Sequence, residues 1–382
     1  MGVADCYNIG DLRRVAKRRL PAPIFNYIDG GADDERTLAR NTGAFDDYHL
    51  VPRVLVDTAT LDLRTKVLGA EIDWPLFLSP TAFNKLFHHH AESAVARAAA
   101  KFGTLYSLST LGTTSIEDVA AATGGPKMFQ VYIFKDRGLT REFVARCKAA
   151  KFTAMALTVD VPVAGNRERD YYTGMSMPPR PTLKSWLGFA MHPEWSLNTL
   201  LHPGFAVANV TRPGSSGLSG SISVIDYINQ QFDRSITWKD AEWLAKEWGG
   251  PFAIKGVHAP EDARLAFQSG ATAVMVSNHG GRQLDSVPGA LDMIPPIVDA
   301  VGGRLEIILD GGIRRGTHIL KALALGATAC STGRGYLYGL AAGGQAGVER
   351  ALTLLKAEVE RDLILLGCRR IADITHSHIR RI

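Results

Sequence analysis

The stretch Ala271-Thr272-Ala273-Val274-Met275-Val276-Ser277-Asn278-His279-Gly280-Gly281-Arg282-Gln283-Leu284-Asp285 decides the fold. Its first six residues form an apolar run of the kind that a parallel sheet buries on both faces. Polar chemistry begins where the run stops. His279 can titrate near neutral pH. Gly280 and Gly281 let the backbone turn sharply and approach a ligand closely. Arg282 is a planar double donor suited to a carboxylate. A base and an anion clamp three residues apart at a strand end describe a site that takes a proton from a carboxylate-bearing substrate.

Outward from this stretch the same unit repeats. Apolar runs at Pro75–Ser79, Thr104–Ser109, Lys127–Ile133 and Thr153–Val159 precede helical patterns at Ala91–Phe102, Ser115–Ala122, Leu139–Lys151 and Trp238–Trp248. In the second half, Phe252–Lys255, Ala271–Ser277, Leu305–Leu309 and Thr328–Thr332 precede Pro260–Ser269, Ala290–Val301, Arg315–Leu325 and Gln345–Leu366. Eight strand–helix alternations predict an α/β chain folded as a (β/α)8 TIM barrel rather than a doubly wound sheet. The barrel should cover about residues 75–366 of a single domain spanning 1–382. Polar residues gather just past the strands, at the ends where barrel enzymes keep their sites.

Two regions lie outside this rhythm. An N-terminal helical segment is expected at Asp11–Leu20, with Asp11 as its cap, followed by Pro23–Tyr27 and Asp33–Asn41. A long insertion, about 178–236, follows the fourth strand and far exceeds the usual loop length. Within Lys184–Arg212 the only formal charge inside the limits is Glu194, amid Trp186, Leu187, Phe189, Met191, Trp195, Leu197, Leu200, Leu201 and Phe205. Pro193 and Pro203 prevent one spanning helix, so this surface suits a membrane interface or a partner subunit. Gly214–Gly220 reads as a mobile loop or lid.

Composition bounds the rest. A hydrophobic fraction of 46% over 382 residues fits a large buried core and excludes disorder. The net charge of +5 is dispersed, which excludes a nucleic-acid stripe but favours anionic ligands or a membrane surface. Cys6, Cys147, Cys330 and Cys368 are far apart, as in a reduced cytosolic interior. No secretory signal or spanning run is visible, so a cytoplasmic location is expected, peripheral on the inner face of the membrane if the insertion binds there. No metal is expected: His88-His89-His90 are adjacent and should not share a helix or strand face. His376 and His378 are read in the same way, as solvated.

The motif Ser277–Asp285 resembles that of the FMN-dependent L-2-hydroxy-acid oxidases and dehydrogenases, which include the glycolate oxidases and the lactate and mandelate dehydrogenases. Asp310-Gly311-Gly312-Ile313-Arg314-Arg315-Gly316 and Leu157-Thr158-Val159-Asp160 support the resemblance, which runs from about Tyr7 to Ile379. Asn166–Asp170 and Gly335–Ala342 look most like the membrane-associated members. The resemblance implies oxidation of a small 2-hydroxy acid, lactate- or mandelate-like, to the 2-oxo acid. Electrons would pass through FMN to a quinone or another carrier, or to O2 in an oxidase. It also implies a homotetramer.

By the same resemblance, His279 is the base and Asp160 its partner. Arg282 and Arg167 clamp the carboxylate, with Tyr27 and Tyr132 adding hydrogen bonds. Pro80, Thr81, Ala82, Ser109, Gln130, Thr158 and Ser277 are placed around the flavin and its ribityl chain, and Lys255 beside flavin N1 and O2. Asp310, Gly311, Gly312, Arg314, Gly333 and Arg334 belong to the phosphate site, at the barrel position that follows strands seven and eight. Leu111 stands where glycolate oxidases carry Trp. Ala82 is oxidase-like where the similar mandelate dehydrogenases have Gly. These two cues oppose each other.

Overall fold

A computed structural model describes residues 1–175, 183–210 and 230–382; Gly214–Gly220 lies outside them. Eight parallel strands close into a barrel: β1 (Leu76–Leu78), β2 (Tyr106–Ser109), β3 (Lys127–Val131), β4 (Ala154–Thr158), β5 (Phe252–Val257), β6 (Ala273–Val276), β7 (Glu306–Asp310) and β8 (Ala329–Thr332). They neighbour one another in chain order, and β8 returns to pair with β1. Every strand residue except Gly256 and Glu306 is buried, so these segments read as unbroken apolar runs rather than alternating ones. The observed strands match the expected runs to within two residues at either end, β5 running on to Val257 and β7 to Asp310.

The barrel interior is unusually rich in small side chains: Ala154, Ala156, Ala253, Ala273 and Ala329 pack with Phe77, Met128, Met275 and Ile308. The same cluster contains Val67, Leu68, Ala70 and Ile72 from the antiparallel hairpin Thr65–Val67/Ala70–Ile72. Leu68 N–H donates to the Glu306 carboxylate at 2.6 Å, which fixes the hairpin at the amino-terminal mouth. A plug therefore fills one end, and the carboxyl end alone is left for a ligand.

The N-terminal helices are Ile9–Arg19, Ala22–Asp29 and Arg36–Gly43. The first is capped by Asn8, whose side chain accepts the Asp11 N–H at 2.9 Å. Asp11, the expected cap, instead sits inside the first turn and accepts the Tyr7 N–H at 2.8 Å. The last long helix also differs from expectation. It begins at Arg334, directly after β8, and breaks at Gly343 and Gly344 before continuing to Leu366. Glycines obscure its first arm, and they are needed there: a Cβ on Gly339 would stand 2.3 Å from the Gly347 carbonyl oxygen.

After β4, the described part of the insertion holds two helices, Leu183–Ala190 and Pro193–Leu201, with Pro193 in the first turn of the second. Trp195 Nε1 donates to the Leu86 carbonyl at 2.8 Å, and Lys85 Nζ donates to the Pro203 and Gly204 carbonyls at 3.1 Å each. At the C-terminus, Ile379–Arg381 pairs with Tyr48–Leu50. That pairing buries His378 beside Cys368, Sγ to Nε2 3.4 Å, whereas the sequence had it solvated.

Candidate active site

The loop after β6 ties the site together. Ser277 Oγ donates to Asp310 Oδ2 at 2.8 Å and accepts from Lys255 Nζ at 3.0 Å. Asn278 and Asn41 exchange two amide hydrogen bonds of 2.8 Å. His279, Gly280 and Gly281 then follow at φ 57°, 67° and 72°, three left-handed residues in succession. For a histidine this conformation costs roughly 1–2 kcal/mol, and it is held by the contacts on either side. Gln283 Nε2 donates to the carbonyls of Asp160 (2.9 Å) and Val163 (2.8 Å). Asp285 accepts the Arg36 and Thr37 N–H groups at 3.2 and 2.8 Å, capping the helix Arg36–Gly43 from across the barrel mouth.

This turn aims His279 at Asp160, just beyond β4, with Nδ1 3.0 Å from Oδ1. Burial alone would raise the Asp160 carboxyl, but His279 and Lys255 outweigh it and hold the group below the usual carboxylate range. An ionised Asp160 only accepts, so Nδ1 is the donor of this hydrogen bond. Gly256 makes the arrangement possible. The β5–β6 register shifts between Lys255 and Val257 while Gly256 adopts φ 102°, and a Cβ there would stand 2.7 Å from Asp160 Cγ. Gly256→Ala is therefore expected to retain flavin yet lower kcat about 10–100-fold, the scale of a slightly misplaced catalytic group. Steady-state kinetics beside a flavin spectrum check it.

Two guanidinium groups meet at Tyr27: Arg282 lies 4.9 Å and Arg167 5.6 Å from its ring centre. Arg282 Nη1 donates to the Tyr27 carbonyl at 2.5 Å and the Gly30 carbonyl at 3.2 Å. Burial and the neighbouring Arg167 depress the Arg282 group from its ordinary value, yet a guanidinium stays charged at neutral pH. Among the described residues no carboxylate forms an ion pair with Arg282. A partly buried cation without a counter-ion is a receptor for an anion. Asp170, which the sequence reading quoted only within a motif, lies 3.5 Å from Arg167 Nε. Burial raises its carboxyl despite both arginines. Tyr132 is buried edge-on against Phe232, ring centres 5.1 Å apart.

Deeper in, Lys255 Nζ and Asp310 Oδ2 are 2.8 Å apart. Ser79 and Ser331 donate to the other oxygen of Asp310 at 2.7 and 2.6 Å. Desolvation opposes both charges, but their attraction and the serine donors hold Asp310 far below the ordinary carboxylate range and raise Lys255. Ser79 and Ser331 were not singled out from sequence; their signal was only a serine within or just past an apolar strand. Gln130 Oε1 accepts from Ser109 at 2.9 Å, while Gln130 Nε2 and Thr158 Oγ1 are buried without a protein partner. Such orphans call for a ligand.

At β7 and β8, Gly311 (φ 138°) and Gly312 (φ 74°) face Gly333, the residue that opens the long helix. A Cβ on Gly312 would lie 1.9 Å from the Asn41 carbonyl oxygen. Free backbone N–H groups at a helix N-terminus suit a phosphate. Arg314 also lines this end. Arg334 differs from expectation in that it braces the mouth, donating at 2.8 Å to each of the Ile28, Gly280 and Gly30 carbonyls.

One cavity of about 840 Å³ is lined by every predicted site residue except Asp160 and Ser277, which stand behind it. Within the range of about 300–1,000 Å³ usual for ligand sites, it has room for a cofactor beside a small acid. His88, His89 and His90, read as a loop, lie in the turn before Ala91, and one ligating atom of each comes within 4.8 Å of the others.

Known proteins resemble this chain along almost its whole length. The family model described as FMN-dependent dehydrogenase matches residues 16–381. The glycolate oxidase of Spinacia oleracea is 40% identical over 372 residues, covering 97% of this chain and 95% of that protein. A putative L-lactate dehydrogenase of Mycobacterium tuberculosis is 42% identical over 376 residues, covering 98% and 89%. The crystal structure of the monotopic membrane protein (S)-mandelate dehydrogenase superposes with a TM-score of 0.95 at 35% identity, covering 99% of this chain and 100% of that one. With that match along almost its whole length, the chain belongs to the FMN-dependent dehydrogenases that oxidise 2-hydroxy acids.

Proposed function

We propose that this protein oxidises a lactate- or mandelate-like L-2-hydroxy acid to the 2-oxo acid and delivers the electrons to a quinone or similar carrier. The observation that carries the reading is His279, backed by Asp160, in one cavity with the partly buried Arg282, which forms no ion pair with a carboxylate among the described residues. The substrate carboxylate docks on Arg282 and Arg167, and Tyr27 and Tyr132 steady it. His279 Nε2 takes the proton, and Asp160 stabilises the imidazolium that results. FMN, when bound, accepts the two electrons of the α-C–H bond. The orphaned Gln130 and Thr158 atoms, Lys255 and the glycine cradle at 311, 312 and 333 are the groups that would hold it. Lys255 keeps a fixed positive charge there, which favours negative charge on a neighbouring ring. Phe83, Leu111, Met175 and Phe232 give the same cavity an apolar wall, which favours a substrate with a sizeable side chain.

Ala82 in the cavity lining favours a second reading, an oxidase that passes electrons to O2. Reoxidation of the reduced enzyme by air in a stopped-flow instrument separates the two. Reoxidation much slower than turnover supports the dehydrogenase; reoxidation at the turnover rate overturns it.

The insertion supports a membrane-bound acceptor. Leu187, Met191, Leu197, Leu200 and Leu201 are 57–76% exposed on or beside its two helices. No helix among the described residues is long and apolar enough to cross a membrane, so the contact would be interfacial. Replacing Leu197, Leu200 and Leu201 by Ser should cost about 3 kcal/mol of interfacial burial or more, roughly a hundredfold in partitioning. The variant should move from the membrane pellet to the supernatant. A wild-type chain found wholly in the supernatant at low salt would remove the membrane contact.

A further inference from the structure

The strongest cluster of ligating side chains outside the active site is the histidine turn ahead of the helix Ala91–Lys101. His88, His89 and His90 have ring centres 4.0–5.1 Å apart, and one nitrogen from each falls within the 4.8 Å group. Adjacent residues in an extended or helical segment would splay such rings. Here the Ala91 N–H donates to the His88 carbonyl at 2.9 Å and closes a turn, so the three rings converge instead. His88 packs over Gly344, at the break in the long helix; a Cβ on that glycine would stand 2.7 Å from the imidazole. The fold thus keeps a space for the ring.

From these contacts we infer that His88, His89 and His90 form a site for a divalent transition metal of the zinc type. The geometry favours this over a solvated loop. His89 Nδ1 is buried and has no hydrogen-bond partner among the described residues. His88 and His89 are partly withdrawn from water, His90 is exposed, and the three rings crowd one another. Imidazole nitrogen is a preferred donor for zinc, at about 2.0–2.1 Å per bond, so the rings would turn inward from their present separations to close on one ion. Lys85 and Arg97 lie nearby and oppose any added positive charge, which points to a modest affinity.

A fourth imidazole links the site to the insertion. His202, at the end of the helix Pro193–Leu201, stacks on His89 with ring centres 3.9 Å apart. Its Nδ1 is engaged with the Asn198 carbonyl at 2.9 Å. A metal held by the turn would stiffen the surface on which His202 rests, and so fasten the insertion to the barrel. Neither His89 nor His90 lines the active-site cavity, so this role is separate from oxidation.

The test uses the flavin-loaded protein, stripped of metal by a chelator and dialysed, then titrated with zinc chloride. One zinc per chain is expected at micromolar free concentration. His89→Ala and His90→Ala should each weaken binding about 10–100-fold, on the scale of losing a supporting ligand group, while hydroxy-acid bleaching of the flavin stays at the wild-type rate. Zinc should also slow proteolysis within the insertion of the wild type. A wild type that takes up no stoichiometric zinc, or a His89→Ala/His90→Ala double variant that binds zinc as tightly as the wild type, overturns the site.

Discussion

His279→Gln is expected to retain bound flavin and lose about 10³-fold or more of its rate of reduction by substrate. The size follows from removing an acid–base group, which alone contributes roughly 10²–10⁴-fold. Glutamine fills similar space, and its amide can still donate towards Asp160, so the left-handed turn and the cofactor end should persist. The loss should appear in kcat and kcat/KM together, because the proton transfer exists only in the transition state. Anaerobic mixing with L-lactate or (S)-mandelate, followed at the flavin band, gives the rate. Bleaching within tenfold of wild type would refute the assignment of the base.

Arg282→Met should act on binding instead. Arg282 is partly buried, forms no ion pair with a carboxylate among the described residues and stands beside Arg167, so a substrate carboxylate is its proposed counter-ion. Hydrogen bonds to charged groups contribute roughly 1.5–3 kcal/mol each. Losing a bidentate pair therefore predicts a fall in kcat/KM of about 10²–10⁴-fold, carried mostly by KM. Arg282→Lys should recover only part of it, since an ammonium cannot reproduce the planar fork. Thermal stability should hold or rise, because the substitution removes a desolvated charge. Unchanged KM and kcat would contradict the clamp.

Much of this was legible before any coordinates. The strands were, because burial on both faces turns them into apolar runs, and the site was, because a barrel collects chemistry just past those runs. What escaped depended on contacts distant in sequence. Gly256 is an ordinary strand glycine until Asp160 is placed against it. Ser79 and Ser331 acquire meaning only around Asp310, and Asp170 only beside Arg167. Asp11 was a reasonable cap by type, but Asn8 holds the position because its side chain reaches the Asp11 N–H. The helix arm from Arg334 to Ala342 was hidden by glycines that close packing requires. The histidine turn was legible as a loop, but the closeness of its three rings was not, because it depends on a turn that belongs to neither a helix nor a strand.

The central claim is that one cavity joins a base, a carboxylate clamp and FMN for the oxidation of an L-2-hydroxy acid. Anaerobic titration of the flavin-loaded protein with a panel of L-2-hydroxy acids tests it most directly. The account predicts stoichiometric bleaching of the flavin by at least one lactate- or mandelate-like member, with the matching 2-oxo acid as product. A flavin that stays oxidised with every member of the panel would contradict it.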